Sequence, residues 1–200
     1  MLYYDPLSIS AMNYPYCFKH EVFTATELQK ILKYCKTLDK TKAKLEHQTE
    51  DVADYKTRIS DVSWIRPNTE SKWIFDRIAA NIDSMNKEFY QYDLFGFSEI
   101  QYAEYDYEQL GKYDYHTDIA MSPIMSRNNL TRKLSASLLL NDTFEGGEFQ
   151  YNVGNSDQSV SELVAGTIVV FPSYLLHRVK TVTKGIRRSL TVWCVGPKFK

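Results

Sequence analysis

The character of this chain changes at Gly96, from two helical stretches to a series of short strands, and that change restricts what it can fold into. Upstream, apolar residues recur at helical spacing in two places. Thr24-Ala-Thr-Glu27 reads as a capping box, after which Leu28, Ile31, Leu32 and Cys35 fall on one face. Ser71 to Phe89 is the second helical stretch, with Trp73, Ile74, Ile78, Ile82, Met85 and Phe89 on its apolar side. Residues 1 to 23 read as an extended lead-in with a strand ending at Val22-Phe23, and the polar stretch from 40 to 55 as a linker or mobile loop. Arg58 to Ile65 alternates like a strand and ends at Pro67. Downstream of Gly96 the period is two. Strands are predicted near 97–105, 113–119, 132–141, 147–152, 159–164, 166–172, 176–181 and 187–195. A series of short strands separated by turns suggests a jelly roll, mainly β, with the two helices bracing one sheet. A chain of 200 residues is expected to form one domain.

Composition narrows the function classes. The chain carries 15 Tyr and 10 Phe, residues that favour strands, and a formal net charge of −1. That balance argues against a general binder of phosphate backbones, so nucleic acid is disfavoured as a partner. Lys30, Lys33, Lys36 and Lys40 on the first helix read as a solvated face. Cys17, Cys35 and Cys194 are an odd set without Cys-x-x-Cys spacing, which points away from a disulfide framework and fits a reducing cytoplasm. No stretch reads as a leader or a membrane span, so a soluble protein is expected.

The chemistry concentrates in the second half. His116-Thr-Asp118 lies on a short aromatic strand, where alternation points both side chains the same way. His177 follows 59 positions later and Arg187 ten beyond it. Two imidazoles and one carboxylate occupy one face of a six-coordinate ion and leave positions open, which suits non-haem Fe(II). Structural zinc prefers four closed ligands, usually including Cys, and is disfavoured. His20 and His47 read as surface residues. Strand parity assigns Arg187 to the cavity side and Arg188 to the opposite, exposed face. Gly146-Gly147, Gly166 and Gly185 read as turns, the last returning the Arg187 strand antiparallel to the His177 strand, and Pro172 as a strand end. The polar loop from 121 to 129 follows the His-x-Asp strand and reads as a cover for the site.

The order Tyr113-Asp-Tyr-His116-Thr-Asp118, Gly146-Gly-Glu-Phe149, Gly166-Thr-Ile-Val-Val-Phe171, then His177 to Trp193 resembles the prolyl 4-hydroxylase-like branch of the 2-oxoglutarate and Fe(II)-dependent oxygenases. The resemblance covers roughly residues 95 to 197. It implies a double-stranded β-helix (jelly-roll) catalytic core over 96–197, supported by residues 1–95. It implies Fe(II), O2 and 2-oxoglutarate as cofactor and cosubstrates, with ascorbate as a stimulant. His116, Asp118 and His177 take the metal-ligand positions. Arg187 takes the position that grips the far carboxylate of 2-oxoglutarate, with Ser189 adding a hydroxyl. Tyr105, Ser135 and Trp193 match positions around the cosubstrate, and Tyr113 one at the substrate entrance. Prolyl hydroxylases typically carry Lys where this chain has Arg187, and two extra residues separate Tyr105 from Tyr113. Retention of Asp118 favours hydroxylation over halogenation. The implied substrate is a prolyl residue in a peptide or protein. A small molecule, such as a free amino acid, is the alternative, and a non-catalytic jelly-roll binding protein is the reading from another class.

Overall fold

The computed structural model describes residues 14–43, 57–119, 129–154, 156–160 and 163–199. Two antiparallel sheets face each other, as the strand series predicts. The larger has eight strands in the order β1 (Cys17–Lys19), β11 (Ile168–Pro172), β7 (Leu130–Leu139), β13 (Val182–Pro197), β5 (Ile100–Asp106), β4 (Asp61–Ile65) and β2 (Thr41–Lys42), with β8 (Phe144–Gly146) pairing on one end of β13. The smaller has five, in the order β10 (Asp157–Ser159), β9 (Phe149–Asn152), β12 (Leu176–Val179), β6 (Lys112–His116) and β3 (Arg58–Ile59).

Alternation along the two longest strands divides the interior into two cores. Leu134, Ala136 and Leu138 of β7 and Leu190, Val192 and Cys194 of β13 face away from the small sheet. They pack there on α1 (Ala25–Cys35) through Leu28, Ile31 and Cys35, and on α2 (Lys72–Met85) through Ile74, Ile78, Ile82 and Met85. The residues of opposite parity look inward. Register places Thr191 beside Ser137, Trp193 beside Ser135 and Arg187 beside Tyr105 on that inner face. Part of it is closed by a second core of Val62, Ala103, Phe149, Val169, Phe171, Val179 and Val182. The rest is polar, and forms the site.

The helix start is as read: the Glu27 backbone N–H donates to the Thr24 hydroxyl, and the Glu27 carboxylate accepts from the Thr24 backbone N–H at 2.8 Å. α2 ends earlier than predicted and continues as a π-turn over Asn86–Tyr90. The lead-in strand is Cys17–Lys19, which borders β11, so Val22 and Phe23 are buried without belonging to a strand. Thr41 and Lys42, read as part of a loop, pair with Val62 and Asp61. The strand predicted at 159–164 is displaced to Asp157–Ser159, because it pairs with Asn152–Gln150 of β9. The polar loop from 121 to 129 and His47 lie largely or wholly outside the described residues. No described helix is long and apolar enough to cross a membrane.

Two expectations near Arg187 are corrected. Gly185 does not turn the chain between the His177 and Arg187 strands, because these strands belong to opposite sheets and the crossing occurs just before Val182. Gly185 sits inside β13 at φ +72°, where a Cβ would lie 2.7 Å from the Thr143 carbonyl oxygen. Arg188 has the predicted outward parity, but it is half-buried rather than exposed. Its Nε donates to Glu104 Oε1 at 3.0 Å, and Glu104 also accepts from Tyr102 Oη and from the Lys40 ammonium.

Candidate active site

His116 and His177 are direct cross-strand partners at the end of β6 and in β12. Their ring centroids are 4.2 Å apart. Each ring is locked by its Nδ1, which lies 2.7 Å from the Asp114 carbonyl oxygen in His116 and 2.8 Å from the Leu175 carbonyl oxygen in His177. A carbonyl only accepts, so both Nδ1 atoms carry the proton and both Nε2 lone pairs are free. Asp118 reaches the same point by a route other than the strand alternation expected of it. β6 stops at His116, and alternation does not aim Asp118. Its backbone N–H donates to the Ser173 carbonyl at 2.8 Å, which folds the chain end inward.

The Asp118 carboxylate lies 3.7 Å from His116 Nε2 and 3.6 Å from His177 Nε2, and one donor atom from each residue falls within 4.8 Å of the others. Asp118 Oδ2 is buried without a hydrogen-bond partner among the described residues. An orphaned carboxylate oxygen facing two imidazole lone pairs fits a divalent cation, and three donors on one side leave further coordination positions free. Burial alone would raise the Asp118 carboxyl, but the His177 and His116 rings, with Ser135 and Trp193 beside it, hold it below the usual carboxylate range. Burial, reinforced by His177, pushes His116 down to about 4. Both shifts favour the protonation states a metal requires.

The facing wall carries a buried cation. Arg187 is 2% exposed, and its Nη1 donates to Ser189 Oγ at 3.1 Å. Its guanidinium stands 5.7 Å from the centroid of the Tyr105 ring, and no described acid pairs with it. Burial pulls Arg187 below its ordinary value, the cost of a cation held out of water without an anion. Gly147 lets this side chain pass: at φ +65°, a Cβ there would sit 3.1 Å from Arg187 Cδ.

Most of the predicted residues meet in one cavity. His116, Asp118, His177, Arg187, Ser189, Tyr105, Tyr113 and Trp193 all line it. Tyr113 stacks on the His116 ring at 3.4 Å between centroids, and burial pushes its phenol up to about 12. Arg132 covers the Trp193 ring at 4.6 Å. Ser135 is the exception. It is fully buried on the inner face, beside Asp118 and with its hydroxyl 3.0 Å from Ser173 Oγ, and Ser137, one alternation further, lines the open part of the cavity. Thr191, Gln101 and Arg58 also line the cavity and were not singled out. Parity from Ser189 reaches Thr191, whereas nothing local in the sequence attaches Arg58 to the small sheet. His20 is exposed, with its Nδ1 against Thr167 Oγ1, away from this site.

Residues 100–195 match the family model of the 2OG-Fe(II) oxygenase superfamily. A PKHD-type hydroxylase of Teredinibacter turnerae is 36% identical over 89 residues, 44% of this chain and 39% of that protein. The match thus spans well under half the length of that curated relative. A prolyl-4-hydroxylase of Pseudomonas putida superposes with a TM-score of 0.70 at 22% identity, covering 92% of this chain and 93% of the other. A prolyl hydroxylase of Trichoplax adhaerens, solved with a hypoxia inducible factor oxygen degradation domain peptide fragment, gives 0.71 at 18% identity, covering 90% and 83%. Residues 100–195 thus combine a match to the 2-oxoglutarate and Fe(II)-dependent oxygenase family with its donor triad, in the fold that prolyl 4-hydroxylases adopt.

Proposed function

We propose that this protein is a hydroxylase that uses Fe(II), 2-oxoglutarate and O2 to oxidise a C–H bond, with a prolyl residue of a peptide or protein as substrate. One oxygen atom enters the substrate hydroxyl and the other enters succinate, with carbon dioxide released. The observation that carries this reading is the juxtaposition of the His116, Asp118 and His177 donors with an uncompensated buried Arg187 across one cavity. The prolyl part is supported by the names of the solved Pseudomonas and Trichoplax prolyl hydroxylases and by the peptide bound to the latter.

His116, Asp118 and His177 hold the iron, which supplies the oxidising chemistry when bound. The other residues bind, orient and shield. The Arg187 fork and the Ser189 hydroxyl grip the far carboxylate of 2-oxoglutarate, with the Tyr105 hydroxyl, Thr191 and Ser137 available along the same wall. The Asp114 and Leu175 carbonyls keep both histidines in the binding tautomer. Tyr113 covers one face of His116, while Phe149 and Phe171 pack on His177 at 5.4 and 4.6 Å between centroids, so bulk water does not reach the imidazoles from those sides.

The test is an anaerobic titration of the apoprotein with Fe(II) and 2-oxoglutarate, followed through the weak visible charge-transfer band of the chelate. Wild type should develop the band and His116→Ala should not. Succinate release is then measured with proline-containing peptides. No band in either protein favours the non-catalytic jelly roll. A band without turnover of any prolyl peptide removes proline and leaves the oxygenase.

A further inference from the structure

The cavity holds a second buried cation that the cosubstrate site does not use. Arg58 is 8% exposed and enters from β3, the edge strand of the small sheet, where it is the register partner of Tyr113. Its Nε donates to Ser60 Oγ at 2.9 Å, and its Nη2 crosses to the large sheet and donates to Gln101 Oε1 at 2.8 Å. Its guanidinium lies 4.5 Å above the Tyr113 ring, whose other neighbour is the His116 imidazole. Arg58 is thus one aromatic ring removed from a metal ligand. Its Nη1 end makes no hydrogen bond to any described residue. Asp118, the one acid among the cavity-lining residues, is committed to the two histidines.

Neutral partners alone are a poor return for a desolvated guanidinium, which is built to receive two parallel hydrogen bonds from an oxyanion. Arg187 stands four residues along β13 from Thr191, the register partner of Gln101. At about 3.3 Å per residue, the Gln101 that receives the Arg58 guanidinium lies roughly 13 Å along the large sheet from the backbone that carries Arg187, whereas Arg58 itself is rooted on the small sheet. Each end of the cavity therefore has its own cation. Charge balance points the same way. With Fe(II) and the 2-oxoglutarate dianion bound, Asp118 and that dianion offset every positive charge of the iron and two arginines but one.

We propose that Arg58 anchors a carboxylate of the substrate, so that the molecule oxidised here is a carboxylic acid with its acid group close to the reacting C–H. A free amino acid such as proline, or the carboxyl-terminal residue of a peptide, presents that chemistry. An internal prolyl residue does not. The proposal rests on the oxygenase reading above but departs from its prolyl substrate: it keeps a chain-terminal prolyl residue, drops the internal one and adds the free amino acid.

The experiment uses calorimetric titration of the anaerobic Fe(II) and 2-oxoglutarate complex. The probes are the free L-amino acids, L-proline against L-prolinamide, and a prolyl-terminated peptide as acid and as amide. Acids should bind wild type, amides should not, and Arg58→Gln should weaken the acid about 10- to 100-fold. Arg58→Lys should retain part of the binding. The proline and peptide arms distinguish a free acid from a chain terminus. The Arg58→Gln charge-transfer band should keep its 2-oxoglutarate affinity within about threefold, which also reports an intact fold. Equal binding of acid and amide, equal binding to wild type and Arg58→Gln, or silence of every acid while the wild-type band is present overturns the proposal. A loss of 2-oxoglutarate affinity in Arg58→Gln as large as in Arg187→Gln also overturns it. Absence of the wild-type band instead refutes the oxygenase reading.

Discussion

Replacing Arg187 by Met should weaken the enzyme and strengthen the apoprotein. Arg187 is 2% exposed and, among the described residues, has one hydrogen bond, to Ser189, and no acid in contact. A buried ion without a partner costs several kcal/mol after relaxation. The lost hydrogen bond to a charged group is worth about 1.5–3 kcal/mol. Methionine fills much of the same volume with a flexible apolar chain. The net should be a stabilisation of about 1–2 kcal/mol, which for a domain of this size raises the melting temperature by roughly 2–8 °C. Binding moves the other way. Two charge-assisted hydrogen bonds to the far carboxylate of 2-oxoglutarate are worth about 3–5 kcal/mol together, so affinity should fall roughly 100- to 5,000-fold. Thermal unfolding of the metal-free protein measures the first effect, and the charge-transfer titration the second. A lower melting temperature in Arg187→Met, or 2-oxoglutarate affinity within tenfold of wild type, would falsify the claim that this cation waits uncompensated for an anion.

Other consequences are as direct. The His116 imidazole is held down to about 4 by burial and His177, whereas the unfolded chain takes up its proton near 6.5. The unfolded state therefore binds the extra proton between these values, and apoprotein stability should fall as pH drops from about 6.5 to about 4; a His116→Asn variant should show a shallower slope in chemical denaturation over that window. Gly185→Ala forces a side chain into φ +72° with its Cβ 2.7 Å from a backbone oxygen. It should cost about 1–3 kcal/mol, and an unchanged melting temperature would mean that β13 can shift there. Glu104→Gln weakens the hold on Arg188 and Lys40 at the outer face of the large sheet. It should lower stability by about 1–3 kcal/mol while sparing iron and 2-oxoglutarate binding, and a loss of either ligand would show that the outer face controls the cavity.

Local periodicity, and the facing of side chains that it dictates, is legible in the sequence. Parity on one strand is enough to separate Arg187, Ser189 and Trp193 from Arg188, Leu190 and Val192, and the capping box marks the start of α1 without help from tertiary contacts. Features that depend on partners distant in the chain are not legible in this way. Asp118 is placed by a hydrogen bond to Ser173, not by its spacing from His116. Arg188 is half-buried because Glu104 lies opposite it across β5 and β13. Ser135 faces inward by parity but is covered by Asp118 and Ser173, so Ser137 and not Ser135 lines the open part of the cavity. Arg58 becomes a cavity residue only when β3 joins β6, a pairing that spans more than fifty residues of sequence.

The imidazole donors and the buried Arg187 belong to opposite sheets. The imidazoles stand on β6 and β12 of the small sheet, and Arg187 stands on β13 of the large one. Packed sheets are held about 10 Å apart by the side chains between them. With iron and 2-oxoglutarate bound as proposed, the site would work as a gauge of chain length: a dicarboxylate would bridge from iron to guanidinium, and the thickness of the aromatic layer would decide how many carbons that takes. Phe149 and Phe171, 5.2 Å apart between the sheets, set that thickness. The proposed assignment thus makes discrimination between keto acids one carbon apart depend on the hydrophobic filling as much as on the groups that touch the ligand.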